Sequence, residues 1–228
     1  RIELFMINQE KFNLTDKRFE RKFILRDLNN IEIISSLFHS KCNFIEQFPE
    51  RTVNSIYFDN HRYDSVHQNL DGINDKIKFR VRWYGEKSLI VKPILEMKIK
   101  KDFQSIKKTK IIESIDNADY NLDSINQINK EVNKILNYNL KPVVSTHYKR
   151  IYLNSLQHDI RATIDYDLHY HNVNFFFKND FEKQLKYKIL ELKYKSLNEN
   201  HLKDLFDLKN LRVTKSSKYI NSFIDQNY

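Results

Sequence analysis

Lys78-Phe79-Arg80-Val81-Arg82-Trp83-Tyr84 alternates basic and apolar residues one for one. In a β-strand successive side chains point to opposite faces, so Lys78, Arg80 and Arg82 share one side and Phe79, Val81 and Trp83 the other. One face calls for a core and the other for anions. A single strand of this kind is ordinarily a surface strand with solvated charges. What decides the fold is that the pattern recurs, usually with a carboxylate in the same row. In 95–100, Glu96, Lys98 and Lys100 oppose Leu95, Met97 and Ile99. In 143–152 one row holds Thr146, Tyr148 and Arg150, and in 160–165 one row holds Arg161, Thr163 and Asp165. In 188–195, Glu191, Lys193 and Lys195 oppose Leu190, Leu192 and Tyr194. Two further strands are expected, from Arg18 to about Leu25 with Glu20 and Lys22 in one row, and from Thr52 to Asp59.

Between the strands the period changes. Asp27 is positioned as an N-cap for a helix to about Ser40, carried by Leu28, Ile31, Ile34, Leu37 and Phe38. One or two helical turns are expected over 61–70, and an amphipathic helix, or a pair, over 118–138. The tail reads as helices over 199–210 and 216–223, and the first dozen residues as a short helix. Neither a repeat nor a linker nor a shift in composition divides the chain, so a single domain over 1–228, with its core at about 18–223, is the expected organisation.

The 228 residues are 40% hydrophobic and 13% aromatic, enough for a sizeable core. A formal net charge of +9 favours anionic partners and leaves nucleic acid, acidic membrane and small phosphate compounds open. The single cysteine, Cys42, excludes an internal disulfide and a cysteine-based zinc site, and fits a reducing, cytoplasmic location. There is no apolar run of membrane-spanning length and no signal-like start. The chain starts at Arg1 rather than at methionine, which leaves open whether residues precede it. Glycine occurs only at 72 and 85, which rules out Walker-type and dinucleotide-binding loops. His169 and His171 share a strand face and invite a metal reading, but no third ligand is apparent from the sequence, and an ordinary surface pair is the simpler reading.

Charged rows on five or six strands find a common solution if the sheet closes on itself, with apolar faces outward under helices and charged faces lining the inside. The expected fold is therefore α+β, a closed antiparallel β-barrel with a charged lumen and flanking helices. Such a lumen is costly while like charges crowd it, and a polyanion with a divalent cation removes the cost. Arginines fork onto phosphate oxygens, lysines act as point charges, and carboxylates hold a hard metal through oxygen.

The ordered set Arg18-Phe-Glu20-Arg-Lys22, Tyr57-Phe-Asp59, Lys78 to Gly85, Glu96-Met-Lys98, Tyr148-Lys-Arg150, Arg161 to Asp165, Leu190-Glu191-Leu-Lys193 and Lys215-Ser-Ser-Lys218-Tyr219 resembles the vacuolar transporter chaperone (VTC) domain. That domain is the polyphosphate polymerase branch of the triphosphate tunnel metalloenzyme (CYTH-like) superfamily. The resemblance implies a tunnel that moves the γ-phosphoryl group of ATP onto a growing inorganic polyphosphate chain and releases ADP, with Mn²⁺ or Mg²⁺. It implies Arg80, Arg82, Lys98, Arg150 and Lys215 as catalytic phosphate ligands and Lys22, Arg161, Lys218 and Tyr148 as further substrate contacts. Glu191 matches the metal carboxylate, with Glu20 and Glu96 as candidate second carboxylates. Because the nucleophile is already a phosphate oxyanion, no general base is required. Hydrolytic relatives begin with Glu-x-Glu-x-Lys, whereas here Arg18 takes the first position, which favours transfer over hydrolysis. The alternatives are a triphosphatase of the same superfamily and a non-catalytic polyanion-binding module. No nucleic-acid-binding motif is present, and the sequence is silent on oligomeric state.

Overall fold

The structure is a computed structural model that describes residues 13–14, 19–101, 104–173, 182–195 and 212–227. In chain order the elements are β1 (Asn13–Leu14), β2 (Phe19–Leu25), α1 (Asn30–Phe38), β3 (Phe44–Asp59), α2 (Asp64–Leu70), β4 (Lys76–Tyr84), β5 (Leu89–Ile90), β6 (Ile94–Lys101) and β7 (Gln104–Ile111). They continue with β8 (Ala118–Asp119), α3 (Leu122–Leu136), β9 (Lys141–Ser155), β10 (Ile160–Asn172), β11 (Lys183–Leu185), β12 (Lys188–Tyr194) and α4 (Lys218–Asn227). Ten strands form one antiparallel sheet in the order β1-β7-β6-β4-β3-β9-β10-β12-β2, with β11 beside β10, and β5 and β8 make a small separate pair.

The apolar rows face outward, as the alternation requires. Phe79, Val81 and Trp83 of β4 join Ile56, Leu95 and Met97 under α3, whose Ile125, Ile128 and Val132 complete that core. At the other end of the sheet, Phe23, Ile164, Leu190 and Leu192 pack under Ile33 and Leu37 of α1. The helix starts are fixed locally. Asn29 and Glu32 form a reciprocal capping box that begins α1, so the start lies two residues beyond Asp27. The Asn121 side chain caps α3 on the Ser124 amide. Residues 118–119 are not helical, because they pair with Leu89 and Ile90. Gly85 turns out of β4 with φ +102°, a conformation side-chain-bearing residues rarely adopt, and its amide donates to Thr52 O at 3.1 Å.

The expected closure is not formed by backbone pairing. Among the described residues no ladder joins β2 to β7 or β1, so the sheet has two edges rather than none. It nevertheless curls strongly: Glu20 of edge strand β2 reaches Lys98 of β6, far away in the strand order, at 2.8 Å. Long charged side chains on the concave face thus link the β2 rim to β6, at side-chain rather than backbone distance. α4 enters one end of the concavity, stacking Tyr219 on Tyr57 with ring centroids 5.2 Å apart and donating the Tyr219 hydroxyl to Asp59 at 2.8 Å. No helix among the described residues is long and apolar enough to cross a membrane. Arg18 and the helices expected over 1–12 and 199–210 lie outside the described residues.

Candidate functional site on the concave face

Three clusters of opposite charge line the concavity, each assembled by strand register. In the first, Arg80 stands directly across the β4–β6 ladder from Glu96. Its Nε donates to Glu96 Oε2 at 2.5 Å, Lys107 Nζ lies 2.5 Å from Oε1, and Arg82 Nη1 lies 3.6 Å from Oε1. Glu96 is only 4% exposed. Burial alone would raise its pKa, but Arg80, Arg82 and Lys107 outweigh that and hold the carboxyl well below the usual range. The two arginines are thereby oriented, with Arg80 also donating to the Tyr57 hydroxyl at 3.3 Å.

The second cluster centres on Asp165, which is fully buried. Its register partner on β9 is Arg150, which forks onto it through Nε at 2.5 Å and Nη2 at 2.7 Å. Lys218 of α4 donates to the same carboxylate. Burial would raise the Asp165 pKa, yet Arg150 and Lys218 hold it at about 2. Tyr148 lies between these cations, with Lys218 Nζ 4.3 Å and Arg150 Cζ 5.3 Å from its ring centroid. Its hydroxyl is buried without a hydrogen-bond partner, as are Arg82 Nε, Ser55 Oγ and Thr146 Oγ1 on the same face. Buried polar atoms of this kind ordinarily have a partner, which here would be an incoming ligand or water.

The third cluster joins the far edge to the rest. Glu191 of β12 and Lys22 of β2 are register partners, 3.5 Å apart at their charged ends. Lys22 also lies 2.9 Å from Glu20, Lys193 lies 2.9 Å from Glu191, and Lys98 lies 2.8 Å from Glu20. Burial and the facing Glu191 both raise the Glu20 pKa, but Lys22, Lys98 and Lys193 bring it down to about 2. Glu191 is likewise held low by Lys193, Lys22 and Arg150 against burial. Two ionised carboxylates close enough to repel, on a face open to phosphate oxygens, suit a hard divalent cation that takes one or two carboxylates plus substrate oxygens. Glu20 and Glu191 carry lysine ammoniums on their oxygens, which a metal would displace, whereas Glu96 is held by two arginines as well as Lys107.

The structure therefore brings together Lys22, Arg80, Arg82, Lys98, Arg150, Lys218, Tyr148, Glu20, Glu96 and Glu191. Arg161 precedes Asp165 in the same row of β10 but is exposed, opposite Lys193 and Asn154. Lys215 is exposed as well, near enough to Lys76 to disfavour its charge. Besides Lys107 on Glu96 and Lys193 on Glu191, two further residues are added to the expected set. Asp165 anchors Arg150 and Lys218. Lys78 donates to Ser217 Oγ at 2.9 Å, and burial, then Lys22 and Lys98, push its pKa down to about 7. The clue to both was the period-two row, in which Lys78 precedes Arg80 and Asp165 follows Arg161 and Thr163. In all, nine cations (Lys22, Lys78, Arg80, Arg82, Lys98, Lys107, Arg150, Lys193 and Lys218) face four carboxylates (Glu20, Glu96, Asp165 and Glu191).

This architecture has known counterparts. A candidate adenylate cyclase from Bacillus halodurans is similar over 90% of this chain and 96% of its own, with TM-score 0.54 and 11% identity. A candidate adenylyl cyclase from Hippeastrum, described as having a dominant triphosphatase activity, is similar over 93% of this chain and 97% of its own, with TM-score 0.51 and 12% identity. At such identities the likeness is one of fold. No curated protein matches the chain. The VTC domain profile, however, matches residues 4–224, nearly the whole sequence, and the chain accordingly belongs to the VTC domain family.

Proposed function

We propose that this chain is a polyphosphate polymerase, in which the concave face forms the wall of a tunnel and transfers the γ-phosphoryl group of ATP to an inorganic polyphosphate chain. The observation that supports this reading best is the excess of cations over carboxylates gathered on one face: eight cations besides Lys78, whose charge is only partly formed near pH 7, against four carboxylates. A triphosphate with a polyphosphate end supplies the missing anions. A terminal phosphate oxygen of the chain attacks the γ-phosphorus, a new P–O bond forms, the bond from γ-phosphorus to the β,γ-bridging oxygen breaks, and ADP leaves. The attacking oxygen is already ionised, so the step requires no general base.

In this reading Arg80, Arg82, Lys98 and Arg150 neutralise the transferring group, Lys22 and Lys218 hold flanking phosphates, and the Tyr148 hydroxyl donates to a phosphate oxygen. Arg161 and Lys215, both exposed, meet the chain at the rims. Glu96 and Asp165 fix the guanidinium planes so that no reorganisation is needed as charge develops. Glu191 and Glu20 would hold the divalent cation, Mn²⁺ or Mg²⁺, which when bound neutralises phosphate oxygens. A nucleotide donor fits a cytoplasmic location. The test is to incubate the protein with ATP and Mn²⁺ and resolve the products on a gel. A ladder of long chains is expected. Orthophosphate as the sole product would instead establish a triphosphatase, and tight tripolyphosphate binding without turnover a binding module.

A further inference from the structure

The convex face carries a second group of metal-ligating side chains, separated from the concavity by the sheet itself. His147 of β9 and His169 of β10 are register partners, with parallel rings 4.9 Å apart. A β-bulge between Tyr166 and His169 places two residues of β10, Asp167 and Leu168, against one of β9, Tyr148. Strict alternation from Asp165 would have turned His169 toward the concave face; the extra residue turns it to the convex face beside His147. Asp167, at the bulge, adopts φ 51°. Glu182, just before β11, brings its carboxylate to both rings: Oε1 lies 2.5 Å from His147 Nε2 and 3.8 Å from His169 Nδ1. One ligand atom from each of the three residues lies within 4.8 Å of the others.

The other nitrogen of His169, Nε2, lies 2.8 Å from Asp167 Oδ1, and Gln184 Nε2 donates to the same oxygen at 3.0 Å. A carboxylate behind a histidine fixes the tautomer that presents the opposite nitrogen to a metal. Here that leaves Nδ1 facing Glu182 and His147. We propose that His147, His169 and Glu182 form a second metal site, for Zn²⁺ or a similar borderline transition ion, with Asp167 as the supporting carboxylate. Two imidazoles and one carboxylate suit zinc with its fourth position open, whereas the all-oxygen donors of the concave face suit Mg²⁺ or Mn²⁺. Lys87 Nζ sits 3.0 Å from Glu182 Oε1 and serves as its counter-ion. Lys87 is partly exposed and must swing away as the metal binds. The bound ion would pin the start of β11 to the β9–β10 ladder, a structural staple outside the phosphate site.

Tag-free full-length protein titrated with Zn²⁺, and with Co²⁺ followed by visible absorption, tests this. One equivalent is expected to bind in wild type and in Glu191→Gln, which removes the concave-face carboxylate. The Co²⁺ spectrum and the thermal stabilisation by Zn²⁺ should be lost in His169→Gln and in Glu182→Gln, both altering partly exposed side chains. Asp167→Asn should weaken binding by about 10- to 100-fold, and Lys87→Met should tighten it. Failure of wild type to bind, retention of the site in His169→Gln and Glu182→Gln, or its loss in Glu191→Gln alone would overturn the assignment.

Discussion

Asp165→Asn is the substitution that most sharply separates structural from ligand-binding roles of the concave charges. Asp165 is fully buried and answers two cations, Arg150 in a bidentate fork and Lys218 from α4. Its folded pKa of about 2 lies below the ordinary value of 3.8. A depressed carboxylate pKa stabilises the fold fully above 3.8, and that contribution, about 2 kcal/mol, is lost as pH falls toward 2. Asparagine removes this term and also leaves a guanidinium and an ammonium buried without their anion, for a combined cost of about 3–5 kcal/mol at pH 7. With an unfolding entropy of about 2.1 cal/mol/K per residue, the Tm should fall by about 6–10 °C. Circular dichroism melts with and without tripolyphosphate provide the assay. The anion should recover more Tm in the variant than in wild type, because it meets two cations the substitution has freed. The stability gap between the two proteins should shrink by about 2 kcal/mol between pH 5 and pH 2. A variant that melts within about 1 °C of wild type, or gains no more from tripolyphosphate, would refute the reasoning.

Lys78, with a pKa of about 7, should become protonated as it meets phosphate. Tripolyphosphate binding near pH 8 should therefore take up about one proton more in wild type than in Lys78→Met, measured calorimetrically in buffers of different ionisation enthalpy, with affinity falling as pH rises above 7. Glu191→Gln should retain tripolyphosphate binding but lose at least about 10²-fold in metal-dependent ADP release; unchanged turnover would remove Glu191 from the metal site. Tyr219→Phe deprives buried Asp59 of a donor and should cost about 1–3 kcal/mol in urea unfolding. Gly85→Ala meets no atom within 4 Å, so only the positive φ is penalised, by about 1–2 kcal/mol.

Much of this was legible from alternation. A period of two names the face of every residue in β4, β6 and β12 before any contact is known, and the row containing Arg80 and Arg82 does converge with those containing Glu96, Arg150 and Glu191. What alternation cannot supply is register. Asp165 gained its role by lying opposite Arg150, and Lys78 its depressed pKa by burial beside Lys22 of β2 and its register partner Lys98. His147 could not be joined to His169 because the bulge at Asp167 breaks the period that would have been used to align them. Closure was misjudged for a related reason: matching charged faces require a curled sheet, but side chains such as Glu20 and Lys98 can link the β2 rim to β6 without a backbone ladder. The start of α1 went to Asn29 rather than Asp27 because Glu32 completes a capping box only with Asn29.

The most direct measurement of the central claim is phosphoryl stoichiometry with γ-labelled ATP. The account predicts that label enters chains longer than three phosphates, with one ADP released for each phosphoryl unit incorporated, and that both fall together in Arg82→Ala. Label confined to orthophosphate, or release of pyrophosphate in place of ADP, would contradict it.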